Sequence, residues 1–262
     1  MYRKLPPVVK NIIIINVLMF LATAIFPSFL LKFGINFNFI DKFGMHYILS
    51  EKFNIIQMFT YMFMHAPFPN FQHILFNMFA VFMFGPILEQ VWGARKFLFY
   101  YLLVGLGAGI IQQIFWQIEF GSLFSAMNQA IDFNDTTALT PYQDKLSKYF
   151  LISGHFDLIS TSNILEMKLE LQNALLTVGA SGSVFGLLLA FGWLFPEERL
   201  YLMFIPYPIK ARYFVAGYAV IELFLGVANF SGDSVAHFAH LGGMLFGLIT
   251  MLYWKKQGKL YS

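Results

Sequence analysis

Long apolar segments dominate the chain, and six of them approach the length of a membrane-spanning helix. A hydrocarbon core of about 30 Å requires roughly 20 apolar residues in helical form. The six stretches cover residues 11–31, 69–90, 97–117, 174–195, 213–230 and 234–254. Ala22-Thr23-Ala24 in the first stretch also fits a signal-peptide cleavage site, but the apolar run continues to Leu31, which favours a span. The pattern predicts an all-α integral membrane protein with six transmembrane helices.

Two connections are longer than a simple helix bundle needs. Residues 32–68 are rich in Phe, Asn and Ile, and we expect a long interfacial outer loop with short amphipathic helices between helices 1 and 2. Residues 118–173 are expected to form an outer insertion between helices 3 and 4. Apolar and polar residues alternate over 165–172 of this insertion, which predicts a β-strand there. We expect residues 1–262 to form one membrane domain.

Composition and charge narrow the class of protein. Hydrophobic residues make up 58% and charged residues 12%, whereas a soluble domain has about 45–50% and about 25%. The absence of cysteine excludes disulfides and thiolate nucleophiles. The net charge of +3 is not concentrated in any block of like charges, so we expect no nucleic-acid partner.

The basic residues define an orientation, because Lys and Arg collect in cytoplasmic loops. One set of connections carries eleven basic and three acidic residues, a net charge of +8, and the opposite set has a net charge of −4. Both termini are therefore predicted to be cytoplasmic. Helices 2, 4 and 6 then begin at the outer face.

Polar side chains from three of these helices lie near that outer face. His73 and Asn77 are four residues apart on one face of helix 2. Ser181 lies near the outer start of helix 4, and His237 and His240 lie three apart at the outer start of helix 6. Polar residues inside spans are rare and mark functional sites by default. Together they supply a nucleophile, a base and two neutral hydrogen-bond donors, which is the equipment of acyl transfer.

Each set also has a simpler interpretation. Ser181 could bond to a carbonyl of its own helix, and His73 with Asn77 could link two helices. His237 and His240 could be half of a metal site completed by His65 and His73. We expect no metal, because no carboxylate is predicted at that depth and the histidine spacing matches no standard ligand motif.

Glycine spacing predicts how Ser181 meets a histidine. Gly182 and Gly186, and likewise Gly243 and Gly247, are four residues apart, a pattern that lets membrane helices approach closely. Helices 4 and 6 are therefore expected to touch, as a hydrogen bond of about 2.6–3.2 Å from Ser181 requires.

The helix after Ser181 is predicted to be short. Gly179 and Gly182 bracket the serine, as expected for a sharp turn into a helix beside a substrate. A helix from Ser181 to Leu194 is about 21 Å long, so Ser181 should lie below the outer surface in a water-filled cavity. The free N–H groups at its N-terminus would face an oxyanion.

The residues then resemble the rhomboid family of intramembrane serine proteases. The matching segments are Gly179-Ala180-Ser181-Gly182, Ala239-His240-Leu241-Gly242-Gly243, His73-Ile74-Leu75-Phe76-Asn77 and the turn at 85–93 around Glu89. The likeness covers all six spans in order.

The resemblance implies a role for each of these residues. Ser181 is the nucleophile and His240 the general base and acid of a dyad without an orienting acid. His73, Asn77 and the Ser181 N–H form the oxyanion hole, which Gly179 borders, and Phe185 stacks on the histidine where the family often has Tyr. Gly182, Gly186, Gly243, Gly247 and Glu89 are structural, and we expect Glu222 to be a structural hydrogen-bond partner.

The implied activity is cleavage of single-span membrane proteins within the lipid bilayer, without a cofactor. The implied location is the bacterial plasma membrane, with the active site open to the outer face. A catalytically silent relative that binds membrane clients is the alternative, and a transporter that uses the histidines is a second one. The insertion at 118–173 could select substrates or be decoration.

Overall fold

A computed structural model of the chain describes residues 4–150, 160–201, 207–228 and 235–261. The described residues are mostly helical, so the predicted all-α class is confirmed. The α-helices are α1 (Pro7–Leu31), α2 (Phe39–Phe43), α3 (Gln57–Thr60), α4 (Gln72–Phe133), α5 (Gln143–Phe150), α6 (Thr161–Ala174), α7 (Ser181–Leu194), α8 (Ala211–Ala228) and α9 (His237–Lys256). Short 3-10 segments lie at Tyr61–Phe63 and Thr136–Tyr142.

Strands are few and short in the described residues. They are β1 (Met45–His46), β2 (Leu176–Thr177), β3 (Arg199–Leu200) and β4 (Ile209–Lys210). β1 pairs with β2, and β3 pairs antiparallel with β4 so that Arg199 is opposite Lys210.

The long helix α4 consists of two arms that meet at Gly93. The positive φ of 75° at this glycine breaks the helical path between residues 72–92 and 94–133. The second arm has about 40 residues and is therefore about 60 Å long, roughly twice the thickness of a hydrocarbon core. The helix thus does not end near residue 117, where the apolar stretch ends, but continues into the predicted insertion.

The strand predicted at residues 165–172 is wrong, because this segment lies in helix α6. The hydroxyl of Ser160 caps the helix by accepting a hydrogen bond from the Asn163 N–H. Leu, Glu, Met and Lys, which fill the segment, are all good helix formers. The buried residues Ile164 and Leu171 are seven positions apart and share a helix face, whereas Leu165 is exposed.

The described chain groups into two compact units. The first comprises the described residues within 1–45, 56–112 and 177–262, and the second those within 46–55 and 113–176. The first unit is built around α7, in which only Ser181, Leu189 and Trp193 are not buried. Its apolar cluster includes Tyr100, Tyr101, Val104, Val184, Leu187, Met244 and Met251.

The second unit has its own aromatic and polar contacts. Tyr47 is fully buried, stacks on Phe124 with ring centroids 5.6 Å apart, and donates its hydroxyl hydrogen bond to Gln117. The Lys145 ammonium lies 4.2 Å from the centroid of the Phe120 ring. Residues 151–159 of the predicted insertion lie outside the described residues.

The N-terminus of α1 is held by Glu89 from the first arm of α4. Its Oε1 accepts from the Val8 N–H at 3.1 Å and its Oε2 from the Val9 N–H at 2.9 Å. These are backbone donors that a helix start otherwise leaves unpaired. Glu89 thus forms structural hydrogen bonds between α4 and α1.

The apolar helices are those of an integral membrane protein. Among the described residues, α1, α4 and α8 are long and apolar enough to cross a membrane, and α7 is a shorter apolar helix. On α8, Val220, Phe224 and Val227 are each more than 60% exposed, and such a surface is stable against lipid rather than water. The count of six spans stays a prediction. Of the predicted spans, positions 229–230 and 234 lie outside the described residues.

Candidate active site

Ser181 is the first residue of α7, and Gly179 shapes the turn that leads into it. Gly179 has a φ of 128°, and its N–H donates to the Tyr61 carbonyl at 2.9 Å. A Cβ added at this position would lie 2.8 Å from His73 Nε2 and 3.6 Å from Ser181 Oγ. Only glycine fits this backbone conformation and the space between the two side chains.

His240 on α9 lies directly beside the serine. Its Nε2 is 2.8 Å from Ser181 Oγ, within the range that the dyad hypothesis requires. Ser181 is half-buried and His240 is buried. The structure thus brings together two residues that are 59 positions apart in the sequence.

Close helix packing makes this contact possible. A Cβ added to Gly243 of α9 would lie 2.0 Å from the Gly182 carbonyl oxygen of α7, and one added to Gly247 would lie 3.5 Å from Gly186 Cα. The predicted contact between these two helices is present. Gly182 and Gly186 also face α4, where added Cβ atoms would lie within 2.7 Å of Ala108 and Val104 side-chain atoms.

Phe185 holds the His240 ring from one side. The two rings are parallel, with an interplanar angle of 7° and centroids 4.3 Å apart. The predicted stacking is therefore present without a tyrosine hydroxyl. It restricts rotation of the imidazole, which favours the orientation toward Ser181.

A carboxylate contacts the Nδ1 edge of the His240 imidazole, although no carboxylate was expected there. Glu222 Oε2 lies 2.8 Å from His240 Nδ1 and 2.7 Å from His237 Nδ1. The expectation that no carboxylate lies at this depth is therefore overturned, whereas Glu222 is a hydrogen-bond partner as expected. Glu222 and His240 lie on different helices, so sequence spacing could not show that they face each other.

The carboxylate fixes the tautomer of His240. Because it accepts a hydrogen bond from the Nδ1–H, the neutral ring leaves Nε2 as an acceptor for the Ser181 hydroxyl proton. This is the tautomer that a general base needs.

The residues that could bind a metal differ from the predicted set of four histidines. Among the described residues, the group able to converge on an ion is Glu222, His237 and His240, with ligand atoms within 4.8 Å of one another. His65 and His73, proposed as further ligands, are not members of it. Hydrogen bonds between the carboxylate and both Nδ1 atoms already account for the arrangement.

His73 presents a hydrogen-bond donor beside Gly179. Its Nδ1 accepts from the Ala66 N–H at 3.3 Å, so the neutral ring carries its proton on Nε2, which faces Gly179. Asn77 is buried one turn further along α4, and its amide donates to the His73 carbonyl at 2.9 Å. Of the two predicted side-chain oxyanion donors, His73 is thus the one whose ring nitrogen lies beside Gly179, the residue two positions before Ser181.

His65 lies beside His73 rather than beside the α9 histidines. The two ring centroids are 5.1 Å apart in an edge-to-face arrangement. Burial, together with the neighbouring His73, lowers the pKa of His65 to about 3. His65 is therefore neutral at physiological pH and adds no positive charge next to the serine.

Two contacts escaped the sequence analysis. The Ala66 N–H that sets the tautomer of His73 is a backbone group in a loop, so the residue type at position 66 does not indicate it. Glu222, in contrast, is noticeable in the sequence as the single acid well inside a predicted span. An acid inside a span indicates a functional residue, but it did not identify the residues that Glu222 bonds.

Comparison with known proteins places the chain in a family. The Rhomboid domain family model matches residues 52–120 and 143–257, more than half of the chain. An uncharacterized mitochondrial rhomboid protein of Schizosaccharomyces pombe is 27% identical over 207 residues, which are 72% of this chain and 49% of that relative. The chain thus spans about half the length of the curated relative.

Proposed function

Because the chain belongs to the rhomboid family, we propose that it is an intramembrane serine endopeptidase with Ser181 as nucleophile and His240 as general base and acid. The observation that carries the proposal is the 2.8 Å contact between Ser181 Oγ and His240 Nε2. A catalytically silent client-binding protein has no need for this hydrogen bond or for the tautomer that supports it.

The reaction follows from the geometry. Ser181 Oγ attacks the peptide carbonyl carbon while its proton passes to His240 Nε2. The tetrahedral intermediate collapses, the C–N bond breaks, and His240 protonates the leaving amine. Water then attacks the acyl-enzyme carbonyl carbon and gives its proton to His240 Nε2. The bond between that carbon and Ser181 Oγ breaks, His240 returns the proton to Ser181 Oγ, and the carboxyl product is released.

Three hydrogen-bond donors stabilise the oxyanion in this proposal. His73 Nε2–H points toward Gly179, next to the serine. The Ser181 N–H belongs to the N-terminus of α7, where unpaired N–H groups carry partial positive charge. The second amide hydrogen of Asn77 completes the set. Preorganised donors of this kind supply a large share of the rate enhancement in acyl transfer.

The proposed substrates are single-span membrane proteins that approach from the lipid bilayer. The proposal retains the predicted six spans, cytoplasmic termini and an active site that opens to the outer face. The 14 residues of α7 reach about 21 Å, which is shorter than the hydrocarbon core. A short central helix lets water reach Ser181 from the outer side.

A reconstituted cleavage assay tests the proposal. The purified protein is placed in lipid vesicles with a labelled single-span substrate, and products are separated with time. Wild type should release two fragments at a constant initial rate. Stable substrate binding without fragments, from folded protein, would instead support the client-binding alternative.

The oxyanion assignment makes a graded prediction. His73→Ala should lower kcat by about 10²- to 10³-fold with little change in KM, as expected for one lost oxyanion donor. Asn77→Ala should have a smaller effect, because its amide is partly engaged by the His73 carbonyl. Thr250→Val is the control, since the Thr250 hydroxyl donates within its own helix to Phe246 O. An unchanged kcat for His73→Ala would contradict the assignment.

A further inference from the structure

We infer that Glu222 is the positioning residue of the catalytic histidine, so that this chain works with a Ser181–His240–Glu222 array rather than a dyad. The inference rests on the proposed function and adds to it a residue from α8. The contact that carries it is the 2.8 Å separation between Glu222 Oε2 and His240 Nδ1.

The surroundings of Glu222 make this contact strong. Its residue exposure is 6%, and those of His237 and His240 are 6% and 8%. A buried carboxylate is unfavourable unless donors compensate its charge. The two Nδ1–H groups that converge on Oε2 provide this compensation. A hydrogen bond to an ionised acceptor is roughly twice as strong as one between neutral groups.

The effect of Glu222 is larger in the transition state than in the ground state. When Ser181 attacks, His240 takes its proton and becomes positively charged. The carboxylate then lies 2.8 Å from a cation instead of a neutral ring, and attraction between charges is strong in a water-poor interior. An interaction that strengthens in this way accelerates the chemical step.

His237 positions the carboxylate in turn. It lies at the first residue of α9, one turn before His240, and its Nδ1–H donates to the same Oε2 atom at 2.7 Å. The two imidazole rings are nearly perpendicular, at 85°, so they approach the oxygen from different directions. His237 therefore keeps Oε2 directed at His240.

Glu222→Gln removes the negative charge of the side chain and keeps its shape. The glutamine carbonyl oxygen can still accept from both Nδ1–H groups, so folding should be preserved. We expect kcat to fall about 10- to 100-fold, the factor that corresponds to losing a charged hydrogen-bond acceptor, with KM within about twofold. Glu89→Gln is the matched control, because Glu89 is equally buried but bonds the backbone of α1. It should lower Tm and leave kcat of the folded fraction unchanged.

A spectroscopic readout separates positioning from simple structure. In protein labelled with ¹⁵N-histidine, wild type should show a His240 Nδ1–H proton signal, assigned by its loss in His240→Ala. Glu222→Gln should keep that signal but move it upfield, because the acceptor is no longer charged. An unshifted signal would show that Glu222 does not accept the hydrogen bond of the His240 Nδ1–H, and a shift together with a lower kcat distinguishes positioning from a role in folding alone.

The outcomes distinguish failure of the Glu222 inference from failure of the proposed protease function. Wild-type kcat in Glu222→Gln, with the Nδ1–H signal unchanged, would overturn the inference and leave the proposed protease intact. An inactive wild type would refute the proposed function, while the spectrum would still report whether Glu222 orients His240. Zinc that copurifies at one equivalent and is lost in Glu222→Gln would also overturn the inference, in favour of a metal site.

Discussion

Ser181→Ala is expected to reduce cleavage of a membrane substrate to the background rate. Loss of the nucleophile in a comparable serine protease costs about 10⁶ in kcat. The side chain is half-buried and bonded to His240, so alanine removes little packing and the protein should fold with an unchanged Tm. Fragment release in reconstituted vesicles measures the loss.

Ser183→Ala provides the matched control for this prediction. Ser183 is two residues further along α7 and is buried, but its hydroxyl donates to the Tyr101 carbonyl at 2.9 Å. Its loss should cost about 1 kcal/mol of stability and leave kcat unchanged. Equal activity in the Ser181→Ala variant and in wild type would eliminate Ser181 as the nucleophile.

Gly243→Ala is expected to be the most damaging substitution outside the polar groups of the site. The added Cβ would lie 2.0 Å from the Gly182 carbonyl oxygen and 2.8 Å from its carbonyl carbon. These are backbone atoms, so α7 and α9 have to separate. Overpacking typically costs 1–3 kcal/mol, and we expect about 3 kcal/mol here. Displacement by about 1 Å also lowers kcat by about 10²-fold.

Gly217→Ala is the control for the loss of a glycine. Gly217 lies in α8, and an added Cβ there would meet nothing within 4 Å. Alanine is favoured over glycine in helices by up to about 1 kcal/mol, so Tm should stay the same or rise. The close-packing explanation is wrong if Gly243→Ala is as stable and active as Gly217→Ala.

The helical class and the proximity of Ser181 to His240 could be predicted from apolar segment length and glycine spacing. Apolar segments of spanning length indicate membrane helices, and the start of α7 at Ser181 followed from the glycines around it. Glycine spacing indicates how closely two helices can pack, and it predicted that Ser181 and His240 lie close together. The contact of 2.8 Å between Ser181 Oγ and His240 Nε2 agrees with that prediction.

The alternation at residues 165–172 predicted a strand, but two other local features, the cap at Ser160 and the helix propensities of the segment, decide its structure. Other features depend on tertiary contacts that the sequence does not encode locally. The contact of Glu222 with His240 depends on the relative rotation of α8 and α9, which periodicity within either helix cannot define. The tautomer of His73 depends on one backbone N–H at Ala66.

The most direct test of the account is the identification of the residue that a fluorophosphonate modifies in the folded, detergent-purified protein. Peptide mass spectrometry should find the adduct on Ser181 in wild type. It should be absent in His240→Ala and retained, at a reduced rate, in His237→Ala. Folded wild-type protein that carries no adduct, or carries it on a different residue, would contradict the assignment of Ser181 and His240 as a serine-protease site.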